Sequence, residues 1–264
     1  MASGPIRAGI GGWTFPPWRG PFYPEGLRQA DELEYAAAQL GTIEINGTYY
    51  RLQKPASFAA WRAAAPDNFV FSVKASRYCT NRKLLAEAGE SVARFFAQGI
   101  AELGDTLGPI LWQFAPTKRF DPDDFGAFLD LLPASCEGLP LRHALEVRHE
   151  SFACPEFVAL ARQHGMAVVY ADHPEYPAIA DLTAGFAYAR LMRSREDCAT
   201  GYPADELDEW ARVAKSWSAG HAPEGLAYVG ARGPAAEGRE VFVYFISGAK
   251  VRNPAAAMAL GERV

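Results

Sequence analysis

Short β-forming runs alternate with longer segments of helical spacing along the whole chain. The alternation predicts strands at residues 6–11, 42–46, 69–74, 110–114, 142–147, 166–171, 186–191 and 241–245. Helices are expected over 31–39, from Pro55, through Val92, Phe95, Phe96 and Ile100, over 155–164 and 204–217, and briefly after Pro254. The helix after the fourth strand has the plainest start signal: Asp121 as N-cap, Pro122 in the first turn, and Asp123 and Asp124 favouring the dipole. After the sixth strand a proline-bearing loop, 174–177, leaves little room for a helix. Eight β units joined by helical crossovers suit a closed parallel barrel, but an open doubly wound sheet uses the same alternation.

The faces of the strands decide between them. Successive strand side chains point to opposite sides. Ile43 and Ile45 oppose Glu44 and Asn46; Phe69, Phe71 and Val73 oppose Val70, Ser72 and Lys74; Leu145 and Val147 oppose Ala144, Glu146 and Arg148. The apolar sets suit a helix layer and the polar sets a barrel axis. The polar residues also come late in their strands. Glu44, Asn46, Lys74, Gln113, Glu146, Arg148, Asp172 and Arg190 fall at or near C-terminal strand ends, the rim on which barrel enzymes build their sites. Buried charges cost roughly several kcal/mol each, so these groups must pair with one another, with water or with a ligand. The expected fold is therefore an α/β protein, a single (β/α)8 TIM-like barrel domain over residues 1–264. A Gly/Ala/Pro-rich insertion, 221–239, precedes its last strand.

Composition changes this picture little. The 264 residues are near the roughly 250 of a typical barrel, and 49% hydrophobic with 22% charged residues is ordinary for a globular core. A net charge of −5 argues against bulk electrostatic attachment to nucleic acid and leaves only a local basic groove open. Cys79, Cys136, Cys154 and Cys198 lack C-x-x-C spacing, which predicts ordinary reduced thiols. No secretory signal is read in the first residues and no apolar run of about 18 residues occurs, so the expected compartment is the cytoplasm. Gly9-Ile10-Gly11-Gly12 lacks G-x-G-x-x-G spacing, and prolines rather than a helix follow; no dinucleotide fingerprint is expected. Of five histidines only His149 and His173 lie near predicted strand ends. No cofactor is expected, with a metal left open.

Six segments carry a likeness to a known family. GIGGWTFPPWRGPFYP, EINGTYYRLQKP, FSVKAS, GPILWQFAP, LEVRHESF and the stretch from YARL to DELDEWA resemble the YecE-like proteins, domain-of-unknown-function family 72. The likeness runs from about Ile6 to the final helix, and its E-x-N-x-T-x-Y-R and E-x-R-H blocks are the most specific parts. It implies a TIM-like barrel of unestablished function. Position by position, the family blocks fall on Trp13, Glu44, Asn46, Tyr50, Arg51, Lys74, Gln113, Glu146, Arg148, His149, Asp172 and Arg190. The last strand departs from the pattern: Tyr244-Phe245 runs into Ile246-Ser247-Gly248, where the family often has an Asn-rich turn.

Three functions compete. The leading expectation is an enzyme, a hydrolase among the candidate classes, acting on an anionic, sugar- or phosphate-containing small molecule. Glu44, Lys74 and Glu146 would be catalytic; Trp13, Asn46, Tyr50, Arg51, Gln113, Arg148, His149, Asp172 and Arg190 would bind. Lys74 and Arg148 would lower the pKa of one of the two glutamates and burial would raise the other, giving an acid and a base. Arg190 with Arg193 and Arg195 would receive a phosphate near the last two strands. Alternatively, Glu44–Lys74 and Glu146–Arg148 are ion pairs that merely brace the barrel. The second function is a metal-dependent phosphodiesterase on nucleic acid, disfavoured by the few histidines and by cations that repel a metal. The third is a non-catalytic binder of a metabolite or nucleic acid. The expected partner is an anionic or hydroxyl-rich small molecule, with nucleic acid not favoured and no membrane. Trp13, Phe15, Trp18, Tyr49 and Tyr50 either stack on that ligand or plug the barrel mouth.

Overall fold

The computed structural model describes residues 3–230 and 238–264. Eight parallel strands close into a barrel in sequential order: β1 (Ile6–Gly11), β2 (Thr42–Ile45), β3 (Val70–Lys74), β4 (Leu107–Gln113), β5 (His143–Glu146), β6 (Ala167–Asp172), β7 (Phe186–Leu191) and β8 (Glu240–Phe245), which pairs back onto β1. Around them lie α1 (Glu32–Gln39), α2 (Pro55–Ala63), α3 (Gly89–Phe96), α4 (Pro122–Asp130), α5 (Pro155–Gln163), α6 (Ala204–Ser218) and α7 (Asn253–Gly261). The closed barrel, not the open sheet, is the architecture. Strand limits differ from expectation by a residue or so, except that β4 starts three residues early, where Leu107 pairs with Phe71 of β3.

Local chemistry explains the helix starts. The Asp121 carboxylate accepts the amides of Asp123 and Asp124, both at 3.1 Å, and so satisfies two donors that the first turn of α4 cannot. Proline opens α2, α4, α5 and α7, where a missing N–H does no harm. No helix follows β6. Its place on the flank is taken by two short segments. Ala180 donates to the Ala227 carbonyl at 2.9 Å, and the Asp181 carboxylate accepts the amides of Val229 and Gly230 at 2.7 and 2.9 Å. Ile179 and Leu182 line a small cavity together with Trp217 of α6, and Gly230 abuts Val158 of α5. The Gly/Ala/Pro-rich insertion therefore fills the gap between α5 and α6 as far as it is described; 231–237 lie outside the described residues.

Strand parity sorts the core into two clusters. Ile43, Ile45, Phe71, Val73, Ile110, Trp112, Leu145 and Val147 pack outward under the helices. Val70, Leu111, Ala144, Ala167, Val169, Phe186, Tyr188, Phe242 and Tyr244 fill the axis, so the barrel is a packed core and not a pore. The axis narrows where β1 meets β2: a Cβ on Gly9 would lie 2.0 Å from the Thr42 carbonyl oxygen, and no larger residue fits there. Among the described residues no helix is long and apolar enough to cross a membrane. The four cysteines are free thiols.

Candidate functional site

Along the axis toward the C-terminal strand ends, apolar side chains give way first to hydroxyls and then to charges. Thr42 and Tyr244 share a hydrogen bond of 2.8 Å between their hydroxyls, and Ser72 and Tyr188 one of 2.9 Å. Tyr188 donates to Glu44 Oε2 at 2.7 Å. Burial and the Glu44 charge push the Tyr188 hydroxyl well above its ordinary range, so it stays a donor.

Above this layer Glu44, at the end of β2, and Glu146, at the end of β5, face Arg190 of β7. Arg190 NH2 donates to Glu44 Oε1 at 3.0 Å, and NH1 donates to Glu146 Oε2. Gln113 Nε2 donates to the same Glu146 oxygen at 2.9 Å, while Arg148 takes the other with Nε at 2.8 Å. Each of the four carboxylate oxygens is thus occupied, and both glutamates are fully buried. Burial alone would raise the Glu146 carboxyl, but Arg190, Arg148, Lys74 and the Gln113 amide hold it down at about 2. The same carboxylates raise the Arg190 guanidinium above its ordinary value against the effect of burial.

Lys74 stands apart. It ends β3 with 8% exposure, its Nζ 4.3 Å from the centre of the Tyr49 ring. No hydrogen bond or carboxylate within ion-pair distance holds it among the described residues. Burial, and next the Arg190 charge, outweigh Glu44 and Glu146 and lower its amine to about 8.

These groups form the floor of a cavity of about 610 Å³, walled by Trp13, Trp61, Tyr50 and the loops after β1, β2 and β8. Five cationic side chains line it: Arg51, Lys74, Arg148, Arg190 and Lys250. Among the described residues no aspartate or glutamate does, because Glu44 and Glu146 lie beneath Arg190, Gln113 and Arg148. Lys250 rests over Phe15 at 4.3 Å and Trp18 at 5.4 Å, and burial lowers its amine. A larger groove, about 890 Å³, lies beside the N-terminal strand ends. Among the described residues its ionisable side chains are the exposed Lys215 and Glu262.

The family model described as "Protein of unknown function DUF72" matches residues 7–264. The chain belongs to the DUF72 family. It resembles UPF0759 protein YecE of Escherichia coli K12, 27% identical over 150 residues, which are 56% of this chain and 50% of YecE. The match thus spans half the length of that curated relative. Among solved structures, a DUF72 protein of Thermotoga maritima superposes with a TM-score of 0.71 at 24% identity, over 97% of both chains. One of Enterococcus faecalis gives 0.71 at 17% identity, over 99% of this chain and 98% of the other. At such identities the structural likeness shows the shared barrel and nothing of the chemistry.

In this DUF72 barrel Trp13, Glu44, Asn46, Tyr50, Arg51, Lys74, Gln113, Glu146, Arg148 and Arg190 gather on or directly beneath one cavity. Two expected residues do not join them. Asp172 shares the outward parity of Val168 and Tyr170, whose ring meets Trp210 and Trp217, and it pairs with Arg193 at 2.9 Å. His149 caps the turn Glu150–Phe152 by accepting the Ser151 amide at 3.1 Å. Arg195 pairs with Glu206 at 2.8 Å, so neither Arg193 nor Arg195 stands free beside Arg190. The brace imagined between Glu44 and Lys74 is replaced by Glu44–Arg190. The aromatics divide: Trp18 is buried, its indole N–H donating to the Lys250 carbonyl at 2.8 Å, while Trp13 and Tyr50 face the cavity. Sequence reasoning missed Lys250, Trp61 and Asn253; they follow α7's approach or sit on a helix, where strand parity gives no signal. Among the described residues no three His, Cys, Asp or Glu side chains come together as a metal-holding group.

Proposed function

We propose that the cavity receives a small molecule bearing a phosphate or carboxylate together with hydroxyl groups, and that the protein is an enzyme acting on it. The carrying observation is that, among the described residues, five cations and no carboxylate line the cavity. Among the described residues Lys74 and Lys250 have no anionic partner, and low-dielectric walls strengthen their pull on an incoming anion. Asn46, Gln53 and Gln113 offer amide groups to hydroxyls, and Trp13, Trp61 and Tyr50 offer apolar wall. In this reading Glu44 and Glu146 orient Arg190 and Arg148, because every one of their oxygens is already engaged. The free thiols fit a reducing cytoplasm, the compartment we propose.

Thermal unfolding with inorganic phosphate, glucose 6-phosphate and uncharged glucose tests the reading. At a hundred times its Kd a ligand stabilises by about 2.7 kcal/mol, a rise in Tm of roughly 5–10 °C for a domain this size. Both anions should raise Tm more than glucose, and Lys74→Met should abolish the rise. A wild-type Tm indifferent to both anions would sink it.

A second reading rests on a separate observation. Among the described residues, the large apolar side chains most exposed to solvent include Tyr50, Leu52, Tyr78 and Leu84, all on the loops after β2 and β3. Arg51, Arg77, Arg82 and Lys83 are interleaved with them. Such a basic and aromatic rim suits a nucleic-acid strand crossing the mouth with its bases on the tyrosines. Binding to a single-stranded oligonucleotide that weakens steeply with salt would favour this reading; weak binding insensitive to salt would remove it.

A further inference from the structure

We propose that Lys74 is a carbonyl-reactive amine, forming an imine with an oxo compound whose carboxylate or phosphate is held by Arg148 and Arg190. The inference rests on the anion-binding reading of the cavity and names the substrate class within it: a 2-oxo acid or the keto form of a phosphorylated sugar.

The geometry carries the argument. Lys74 closes a barrel strand, its own carbonyl fixed by the Thr48 hydroxyl at 2.7 Å, and among the described residues Nζ is steadied by the face of Tyr49 alone. A buried amine without a hydrogen-bond or ion-pair partner is unusual among lysines, and neighbouring guanidiniums further disfavour its proton. Among the described residues the cavity wall holds no carboxylate, histidine or cysteine. Its arginines cannot give up a proton. Lys250, over Phe15, is only half-buried. Lys74 is therefore the wall's best nucleophile near neutral pH. Arg148 and Arg190 lie where a substrate anion and a developing oxyanion both need positive charge.

The step balances without oxidant or reductant. The Nζ lone pair forms a C–N bond as the carbonyl π pair moves to oxygen, and one proton passes from nitrogen to that oxygen. The carbinolamine takes a second proton from solvent and loses its oxygen as water. A protonated imine remains, so Lys74 nitrogen again carries the positive charge among the bound anion and the two glutamates.

Trapping the imine on the full chain provides the test. Dihydroxyacetone phosphate and pyruvate, each with cyanoborohydride at pH 7.5, would leave a stable secondary amine on any lysine that forms an imine. Six lysines make the peptide map simple. The neutral fraction of an amine lowered to about 8 exceeds that of an ordinary lysine by on the order of a hundredfold. Adduct at Lys74 should exceed that at Lys54, Lys83, Lys118 and Lys215 by about that factor, and that at Lys250, whose amine burial also lowers, by less; it should fall with added inorganic phosphate, vanish in Lys74→Arg and persist in Lys215→Arg. Adduct spread evenly over the lysines, or none at Lys74 with either ketone, overturns the imine. If phosphate still raises Tm in that case, the anion reading stands alone; if it does not, both fall.

Discussion

The barrel carries a charged cluster at each end, and the two are built in opposite senses. At the N-terminal end Glu240 sits between Arg7 and Arg142. At the C-terminal end Glu44 and Glu146 sit around Arg190, with Arg148 and Lys74 above them. Each cluster holds one more cation than carboxylates. The surplus is handled differently. Arg142 lies over the rings of Phe186 and Phe242 at 5.5 and 5.2 Å, and Arg7 donates to the Asn68 carbonyl. All three charged groups there keep between 17% and 34% exposure, so water screens what remains. At the other end the carboxylates are sealed in and the cations face open space. Counting charges does not separate a brace from a site; the sign that is buried and the sign that faces the cavity do.

The largest effect should come from the shared partner at the C-terminal end. Arg190→Met leaves Glu44 and Glu146 buried and facing each other without the guanidinium between them. Breaking one buried pair costs about 3–5 kcal/mol, and here two break at once. A loss above about 5 kcal/mol is expected, comparable to the whole stability of many domains. Urea unfolding of the purified variant, or its failure to accumulate in soluble form, reads it. A loss under about 2 kcal/mol would mean that the ring holds the barrel no more tightly than the exposed cluster does.

Lys74 and Glu146 should reveal themselves by pH, with the same sign but at opposite ends of the scale. The folded chain releases the Lys74 proton near 8, whereas the unfolded chain keeps it to about 10.5. Between those values the unfolded state binds more protons, so stability rises with pH, by about 3 kcal/mol. Glu146 is held at about 2 against an ordinary value of 4.5. Its contribution is present above 4.5 and is lost as pH falls toward 2, again by about 3 kcal/mol. Unfolding free energies across pH compare wild type with Lys74→Met. The variant should lose the alkaline rise while keeping most of the acid loss, and near neutral pH it should be at least as stable as wild type. An alkaline rise that survives in Lys74→Met would assign it to another group.

At the N-terminal end a smaller effect is expected. Glu240→Gln removes the charge between Arg7 and Arg142, but both guanidiniums retain solvent and other partners. A loss of about 1–2 kcal/mol should follow, with the phosphate-induced rise in Tm intact. Loss of that rise would couple the two ends and dissolve the distinction between brace and site.

Much of this contrast was legible in the sequence, and the illegible part has a physical cause. A strand's period of two fixes which of its residues share a face. Glu44, Lys74 and Glu146 could therefore be placed inward strand by strand, and Arg190, late in its own strand, assigned to the same rim. The rule needs polar contrast to set its phase. In β6 the run Ala-Val-Val-Tyr-Ala has almost none, and Asp172 was grouped with the rim although Ala167 and Val169 are the residues that face the axis. Pairing is harder still. Glu44 and Arg190 are 146 positions apart and meet only because the sheet closes on itself. No local pattern distinguishes that bond from the Glu44–Lys74 pair on adjacent strands. The N-terminal cluster went unread for a similar reason. Glu240 lies one residue before the expected start of its strand, and its partners Arg7 and Arg142 stand 233 and 98 positions away.

The smallest prediction concerns backbone strain, which also differs between the ends. Each end has a non-glycine residue in the left-handed region: Asn68 at φ 63° beside Arg7, and Ser247 at φ 61° on the cavity loop. Asparagine tolerates that region; serine has no such preference, and the conformation costs an ordinary residue roughly 1–2 kcal/mol. The Ser247 carbonyl is held there by the Asn253 amide at 3.2 Å. The next residue, Gly248, approaches the Ser194 backbone so closely that a Cβ would sit 2.8 Å from its carbonyl oxygen. Replacing Ser247 by glycine relieves the strain but adds freedom to the unfolded chain worth about 0.5–1 kcal/mol. A net gain of about 0.5 kcal/mol should follow, a rise in Tm of 1–2 °C at most on the usual scaling. Asn68→Gly should give no gain, because little strain is there to relieve. Equal gains at both positions would show that the loop bounding the cavity stores no more strain than the brace at the opposite end, and the cavity loop would lose its claim to be a functionally constrained turn.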